Sequence, residues 1–527
     1  MSDDVAAASA ATGGSFRTRR FLGGVGLTLL NQALALLVGL WFTRFALGRL
    51  GQHDYGLWLV GLQVVAYLSL LDLGVVALLP RETAFAAGRE RSPGGLSGVA
   101  ALLGDATQLV LWQTPVLALL AVGAGAAVAG RWADLLPAAS LILAAYVLAF
   151  PLRIFGATLQ GLQDLAFLGW VQMAAWAAGT ATSVLMLLGG YGLYALAAGW
   201  IVQQLAPPAA HWLRLRARFR GALPARAPRL AWPAARSYLA RSLWVSLSQV
   251  TALLLNGADV LIIAAMLGPA RVVPYVLTGK LVAVASNLPF TFAHAAGPGL
   301  SEMRVRESRE RLREVTTALT QAVLFASGLV AVVVLALNAA FVRWWVGPAQ
   351  FGGGVLSALF VLLMVVRHWG TTLGYTAYSF GRERATALIG IVAGGVAVGV
   401  TLLLVPSLGI VGGALGTLAG ELLVTIPLFL HVVAREVGES AGRVLAPLAP
   451  WGGRLAAAAI AATLLSSVWR PATVVTLGVA GLGVVALYLL VMRPLALRPP
   501  LHAYVIRTLE AVAPPLARHR FFQANEA

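Results

Sequence analysis

The chain has 527 residues, 59% hydrophobic and 11% charged, with a net charge of +18 and no cysteine; its mean hydropathy is +0.83. Those fractions lie far outside the range of soluble domains and mark an integral membrane protein. The lack of cysteine excludes disulfides, thiolate metal sites and cysteine nucleophiles, and the basic charge sits in short loops between apolar runs rather than along one face or an aromatic groove, which argues against nucleic acid as a partner.

Apolar runs close to the ~20 residues that cross a bilayer as a helix recur about 14 times. In chain order the predicted spans are Val25 to Leu47, Tyr55 to Leu79, Thr107 to Val128, Leu135 to Leu159, Leu165 to Leu188, Leu193 to Trp212, Leu243 to Leu267, Val272 to Ala296, Thr317 to Asn338, Leu356 to Tyr378, Thr386 to Val405, Ile410 to His431, Leu455 to Val468 and Val474 to Val491. "TRRFLGG" (Thr18 to Gly24) reads as the basic flank of the first span rather than an export signal, because the apolar segment behind it is too long for a signal peptide and many spans follow.

With the N-terminus in the cytoplasm, alternate loops on that side collect "RLRARFRGALPARAPR" (Arg214 to Arg229), "RVRESRERLR" (Arg304 to Arg313), Arg382, Arg384, Arg435 and Arg443. The other side holds little beyond Arg44, Arg49, Arg131, Arg271, Arg343 and Arg470. This asymmetry predicts a multi-pass protein of the inner (plasma) membrane with a cytoplasmic N-terminus.

The chain resembles itself. "LGRLGQHDYGLW" (Leu47 to Trp58) matches "LGPARVVPYVL" (Leu267 to Leu277), with Gly48 on Gly268 and Tyr55 on Tyr275; "LQGLQDLAFLG" matches "SFGRERATALIG", with Gly161 on Gly381; and "LLGGYGLYALAAG" matches "LLVPSLGIVGGALG", with Gly192 on Gly409. The offsets are 220 (268 − 48), 220 (381 − 161) and 217 (409 − 192). An offset of six helices leaves both halves entering the membrane in the same direction, as parallel repeats do. The predicted fold is therefore all-α: two pseudo-symmetric six-helix lobes around a central cavity plus two extra C-terminal helices. The corresponding domains are 1–212 (spans 1–6), 213–240 (basic cytoplasmic linker), 241–434 (spans 7–12) and 435–527 (spans 13–14 and a basic tail).

"LGQHDYGLW", "DLGVVALLPRETA" (Asp72 to Ala84), "ADVLIIAAMLGPARVVPYVLTGKLV" and "YSFGRERATALIGIVAGGVAVGVTLLLVPSLGIVGGALGTLAGELL" together resemble the polysaccharide-flippase branch of the multidrug/oligosaccharidyl-lipid/polysaccharide exporter superfamily, over roughly Arg20 to Ala434. The resemblance implies the two-lobed fold and passage of an undecaprenyl-diphosphate-linked glycan from the inner to the outer leaflet. Its substrate is then a lipid-linked glycan, its surroundings membrane lipids, and its candidate partners a polysaccharide polymerase and glycosyltransferases. The two extra spans resemble the 14-helix arrangement of lipid II flippases, which keeps the peptidoglycan precursor open as cargo.

Polar residues fall on faces of otherwise apolar helices. Lys280, Asn287, Thr291 and His294 share a face of span 8; Ser242, Ser246, Gln249 and Asn256 share one on span 7, with Asp259 at its edge; and Gln63, Tyr67, Gly74 and Arg81 align on span 2. Such groups are costly against lipid, so these faces are predicted to line a hydrated, cationic cavity. Lys280 is the only lysine in the chain. It reads as a point-charge contact to the ligand's diphosphate, or as an ammonium snorkelling to the interface or paired with Asp259. Arg153 and Arg367 lie in apolar runs, either functional or capping the interface; Asp72 reads as a structural partner, Asp105 and Glu421 as packing or interfacial groups, and His294 and His368 as hydrogen-bonded packing residues with proton coupling as the alternative.

A cation-coupled multidrug exporter on the same fold is the competing reading. The family's exporters rely on embedded carboxylates, whereas span 1 here offers Asn31 and Gln32, and Asp259 alone keeps that reading open. A glycan polymerase or ligase needs catalytic groups in a sizeable outward loop; the loops are short, without paired carboxylates, HExxH or a nucleophile motif, so no enzyme, cofactor or metal is expected.

Overall fold

The computed structural model describes residues 36–69, 75–89, 96–224, 254–287 except 256, and 299–504 except 305, 470 and 472, together with positions 236, 289 and 506. The chain divides into two compact units, Met1–Gln249 and Val250–Ala527. Among the described residues all regular structure is helical, and nine helices are long and apolar enough to cross a bilayer. The chain is an all-α polytopic membrane protein. The predicted spans beyond those nine are the first, second, seventh and eighth, which run into residues outside the described set, and the sixth, whose apolar run is interrupted by Gln203, Gln204, Pro207 and Pro208.

In the first unit one helical run, 36–68, bends at Gly51, whose φ of +78° turns the chain, into α1 (36–50) and α2 (52–68). Then come α3 (Val75–Arg89), α4 (Ser97–Arg131), α5 (Ala133–Gly161), α6 (Leu165–Leu188) and α7 (Leu193–Arg218). A tight 3₁₀ turn at Phe150–Leu152 lets α5 pass Pro151, which has no N–H to give the ladder. α6 is apolar all round, yet its buried residues, Ala175, Gly179, Ser183 and Leu187, recur every four positions. One narrow stripe therefore meets protein while the remaining apolar surface is left for lipid.

In the second unit, α8 (Gly257–Leu267) and α9 (Pro269–Ala285) flank Gly268, followed by α10 (Arg309–Val346), α11 (Gly354–Ser379), α12 (Glu383–Leu408), α13 (Ile410–Val437), α14 (Ala441–Val468) and α15 (Val474–Ala496). Ser308 caps α10 by accepting from the Arg311 N–H. The two C-terminal helices dock on α10: Tyr488 of α15 is buried and its hydroxyl donates to the Phe325 carbonyl at 2.8 Å. Gly328 makes that approach possible, since a Cβ there would lie 2.4 Å from the Tyr488 oxygen.

The internal repeat is visible in backbone geometry, with a corrected register. Gly192 (φ 55°, ψ −134°) and Gly409 (φ 62°, ψ −141°) share a conformation that L side chains rarely adopt, and they lie 217 apart (409 − 192). The other residues with positive φ at equivalent turns are Gly51 and Gly268, again 217 apart (268 − 51), and Gln163 and Gly381, 218 apart (381 − 163). The sequence pairing of Gly48 with Gly268 and of Tyr55 with Tyr275 was thus three residues out: Gly48 is an ordinary helical residue and Gly51 makes the turn. Gly161 likewise yields to Gln163 as the partner of Gly381.

The same offset runs through the best-packed pair of helices in each unit. A Cβ on Gly199 of α7 would lie 1.9 Å from the Ser183 hydroxyl of α6, and one on Gly416 of α13 would lie 2.0 Å from the Thr401 hydroxyl of α12. Gly179 of α6 accommodates the Gln203 side chain, whereas at the equivalent positions Gly420 accommodates Ala397. Each pair is tied at one end by an ion pair of opposite polarity: Asp164 with Arg214 at 2.8 Å in the first unit, and Arg382 with Glu436 at 2.6 Å in the second. Glu436 also pairs with Arg304, and next to it Glu439 pairs with Arg313 (2.8 Å) and Arg443 (3.2 Å), joining the starts of α10 and α14 to the end of α13.

Candidate functional site

In the second unit α9 buries Val272, Val273, Tyr275, Leu277, Thr278 and Val282. Val276 and Lys280 are half-buried and Ala283 exposed, a spacing of i, i+4 and i+7 that puts them on the other side of the helix, and Asn287, just beyond its end, is exposed. Lys280 and Asn287 are thus both accessible. Among the described residues Lys280 makes no ion pair or hydrogen bond.

Asp259, the pairing alternative for Lys280, is engaged elsewhere. Its carboxylate accepts from the Tyr275 hydroxyl and from the Val260 N–H at 2.8 Å. A second embedded carboxylate, Glu421, is 3% exposed and accepts from the Arg367 Nε at 3.2 Å. Arg367 also donates through Nη2 to the Leu255 carbonyl at 2.9 Å, four residues before Asp259, so one guanidinium ties α11, α13 and the segment leading into α8. Glu421 opens a π-helical turn, Glu421–Thr425, inside α13; such turns change the face that a side chain presents and are frequent at functional positions. Gly370 leaves room for the pair, since a Cβ there would sit 3.3 Å from Glu421 Oε2.

The other candidates separate. Gln63 and Tyr67 are half-buried, one turn apart on α2. Arg81 is exposed on α3, its guanidinium carbon 5.3 Å from the centre of the Phe85 ring. Gln249, Asn256, Thr291 and His294, with Asp72 and Gly74, lie outside the described residues. His368 is buried, with Nδ1 2.8 Å from the Ser327 hydroxyl. Arg153 is half-buried and donates to the Tyr146 hydroxyl at 3.3 Å. No three His, Asp or Glu side chains converge as metal ligands among the described residues.

The family model described as "Polysaccharide biosynthesis protein" matches residues 106–348, just under half of the chain. Among solved structures, the chain is similar to an inward-facing multidrug resistance MATE family transporter of the MOP superfamily, at TM-score 0.58 and 15% identity over 76% of this chain and 95% of that one. It is similar to the lipid II flippase MurJ in an inward closed conformation, at TM-score 0.58 and 10% identity over 84% and 97%, and to MATE in a bent conformation, at TM-score 0.50 and 14% identity over 79% and 93%. The chain thus shares the fold of these MOP superfamily transporters. No curated protein sequence matches it at a significant level.

Within this fold the Arg367–Glu421 pair was not foreseen as a unit. Its members are 54 residues apart (421 − 367) and each looks, in isolation, like an interfacial charge. The signal available in the sequence was that both interrupt long apolar runs, which in a membrane span calls for a partner.

Proposed function

We propose that this protein flips a polyprenyl-diphosphate-linked oligosaccharide, a repeat unit of a cell-surface polysaccharide, from the inner to the outer leaflet by alternating access. Lys280 and Asn287 belong to the substrate path, with Gln249, Asn256, Thr291, His294, Gln63, Tyr67 and Arg81 as further lining groups and Asp259 beside them. The observation that carries the reading is the charge balance of the second unit. Both embedded acids, Asp259 and Glu421, already hold donors, whereas the accessible face of α9 carries an ammonium without a described counter-charge. Such a face suits a diphosphate and repels the cationic drugs of the competing reading. The polysaccharide-biosynthesis family match supports the cargo, and diphosphate and sugars cross on polar groups while the polyprenyl tail stays in lipid. No step needs covalent chemistry.

A second reading, lipid II as cargo, is favoured by α14 and α15, which extend the chain beyond twelve helices, and by the length of the match to MurJ. Lipid II carries the same diphosphate, so the cation does not discriminate. A deletion strain does. Loss of the protein is expected to leave undecaprenyl-diphosphate oligosaccharide on the inner leaflet, and accumulation of lipid II instead selects the second reading. In that strain Lys280→Ala should abolish export at unchanged protein level, and Lys280→Arg should keep part of it, since charge is retained and hydrogen-bond geometry altered. Full complementation by Lys280→Ala removes this residue from the mechanism.

A further inference from the structure

α1 carries an aromatic ladder that the polar stripes do not include. Trp41 and Phe45, one turn apart, stack with ring centres 5.4 Å apart and planes inclined by 9°. The guanidinium carbon of Arg49, a further turn on, lies 5.7 Å from the centre of the Phe45 ring. Arg44 is three residues, one turn, from Trp41 on the same helix. Leu37, Trp41, Arg44 and Gly48 fall at i, i+4, i+7 and i+11, and all four are exposed, Leu37 at 64% and Trp41 at 53%. Arg44 makes no hydrogen bond or ion pair among the described residues.

Depth separates this face from an interfacial belt. The helical run turns at Gly51, and the charge asymmetry predicts that turn as the outward end of the first span. At 1.5 Å per residue, Trp41 then lies about 15 Å and Arg44, an outward-side charge set inside the span, about 10 Å below it, against a hydrocarbon core of about 30 Å. Interfacial tryptophans sit at headgroup level, so Trp41 is too deep to be one. An unpaired guanidinium directed into hydrocarbon is costly, which points to water along this face. Nor does the fold require the ladder: at the repeat offset of 217, Trp41, Arg44, Phe45 and Arg49 correspond to Ala258, Leu261, Ile262 and Met266, which are all apolar.

We propose that Trp41 and Phe45 form a stacking platform for a sugar ring of the transported glycan, with Arg44 beside it binding an anionic group of the same ligand. The C–H face of a pyranose is apolar and slightly positive and lies well on the negative face of an aromatic ring, while a guanidinium forks onto phosphate or carboxylate oxygens. Ring and cation one turn apart therefore fit a sugar joined to an acid group, and fit an acyl chain poorly. This inference rests on the lipid-linked glycan reading and names the residues that recognise its saccharide part.

The test has two arms. In the cysteine-free chain, Leu37→Cys lies about 21 Å below Gly51, too deep for reagent at the membrane surface. A charged, membrane-impermeant methanethiosulfonate applied to opened vesicles should label it at least tenfold faster than Leu119→Cys, an exposed apolar position of α4 (73% exposed) taken as the lipid-facing control. In the deletion strain, at matched membrane amounts, Trp41→Ala should lower glycan export more than tenfold while Trp41→Tyr keeps at least half. Arg44→Gln should fall tenfold and Arg44→Lys lie between it and the wild type. Labelling of Leu37→Cys as slow as that of Leu119→Cys puts the face against acyl chains and overturns the platform. Wild-type export by Trp41→Ala overturns it as well and leaves the transport reading intact. Failure of the wild-type protein itself to restore glycan export defeats the transport reading and the platform together.

Discussion

Replacing Arg367 with methionine removes the guanidinium and keeps most of the side-chain volume. What remains is the Glu421 carboxylate, 3% exposed, with its charged donor gone, and the Leu255 carbonyl without its Nη2–H partner. Breaking one half of a buried ion pair costs about 3–5 kcal/mol because the other charge stays buried and uncompensated. At about 2 °C per kcal/mol for a unit of this size, Arg367→Met should lower the midpoint of thermal inactivation by about 6–10 °C, read as the monomer fraction surviving a heating step in size-exclusion chromatography of detergent-solubilised protein. The decisive arm is Arg367→Met with Glu421→Leu. Removing both charges replaces a buried pair by apolar groups, which is frequently neutral, so the double variant should return to within about 1 kcal/mol, or about 2 °C, of the wild type. A single variant as stable as the wild type, or a double variant no better than the single, refutes the claim that the embedded pair acts as one unit.

Two further outcomes follow from the second unit. Gly416→Ala should destabilise by more than the roughly 1–3 kcal/mol usual for overpacking, since its Cβ would meet the Thr401 hydroxyl at 2.0 Å and the Thr401 backbone N at 2.6 Å, and the same thermal assay on Gly395→Ala, which meets nothing within 4 Å, is the control that should stay near wild type. Glu439 lies outside the spans, and its hydrogen bonds from Arg443 and Arg313 hold its carboxyl below the usual glutamate range. A depressed pKa stabilises above the unfolded value, about 4.3, and the gain is lost as pH falls through the folded value. The midpoint difference between wild type and Glu439→Gln should therefore be constant from pH 7 to pH 5 and shrink below about pH 4.3; a difference that does not change with pH contradicts the assignment.

Much of the helical layout was legible in the sequence because the bilayer makes hydropathy decisive. The predicted limits Leu165 to Leu188 coincide with α6, and the starts at Leu193, Ile410 and Val474 coincide with α7, α13 and α15. Helix ends outside the apolar layer were less visible. α10 begins at Arg309, eight residues before the predicted Thr317 (317 − 309), because a helix capped by Ser308 runs on through water on charged residues that hydropathy scores as loop. The turn motifs revealed the repeat, but letter matching placed two of its three registers wrongly; only the positive φ of Gly51 and Gln163 gives the true equivalents. The side of α9 that carries Lys280 followed from helical periodicity. What joins Arg367 to Glu421 and Asp259 to Tyr275 did not, since these partners lie on different helices and periodicity speaks only within one.

The reversed placement of glycine within the two helical hairpins bears on which part of the chain can be exchanged without loss of packing. In one hairpin the small residue, Gly179, is on the first helix and the bulky one, Gln203, on the second; in the other, glycine has moved to the second helix, Gly420, and faces Ala397. Exchanging a single helix between the hairpins therefore sets Ala397 against Gln203, where a Cβ has no room, or Gly179 against Gly420, where two absent side chains leave a void. Exchanging a whole hairpin keeps each partner with its own. At this contact the larger side chain on one helix is matched by the glycine on its partner, so the piece that keeps its packing when moved is the helical pair and not the single helix.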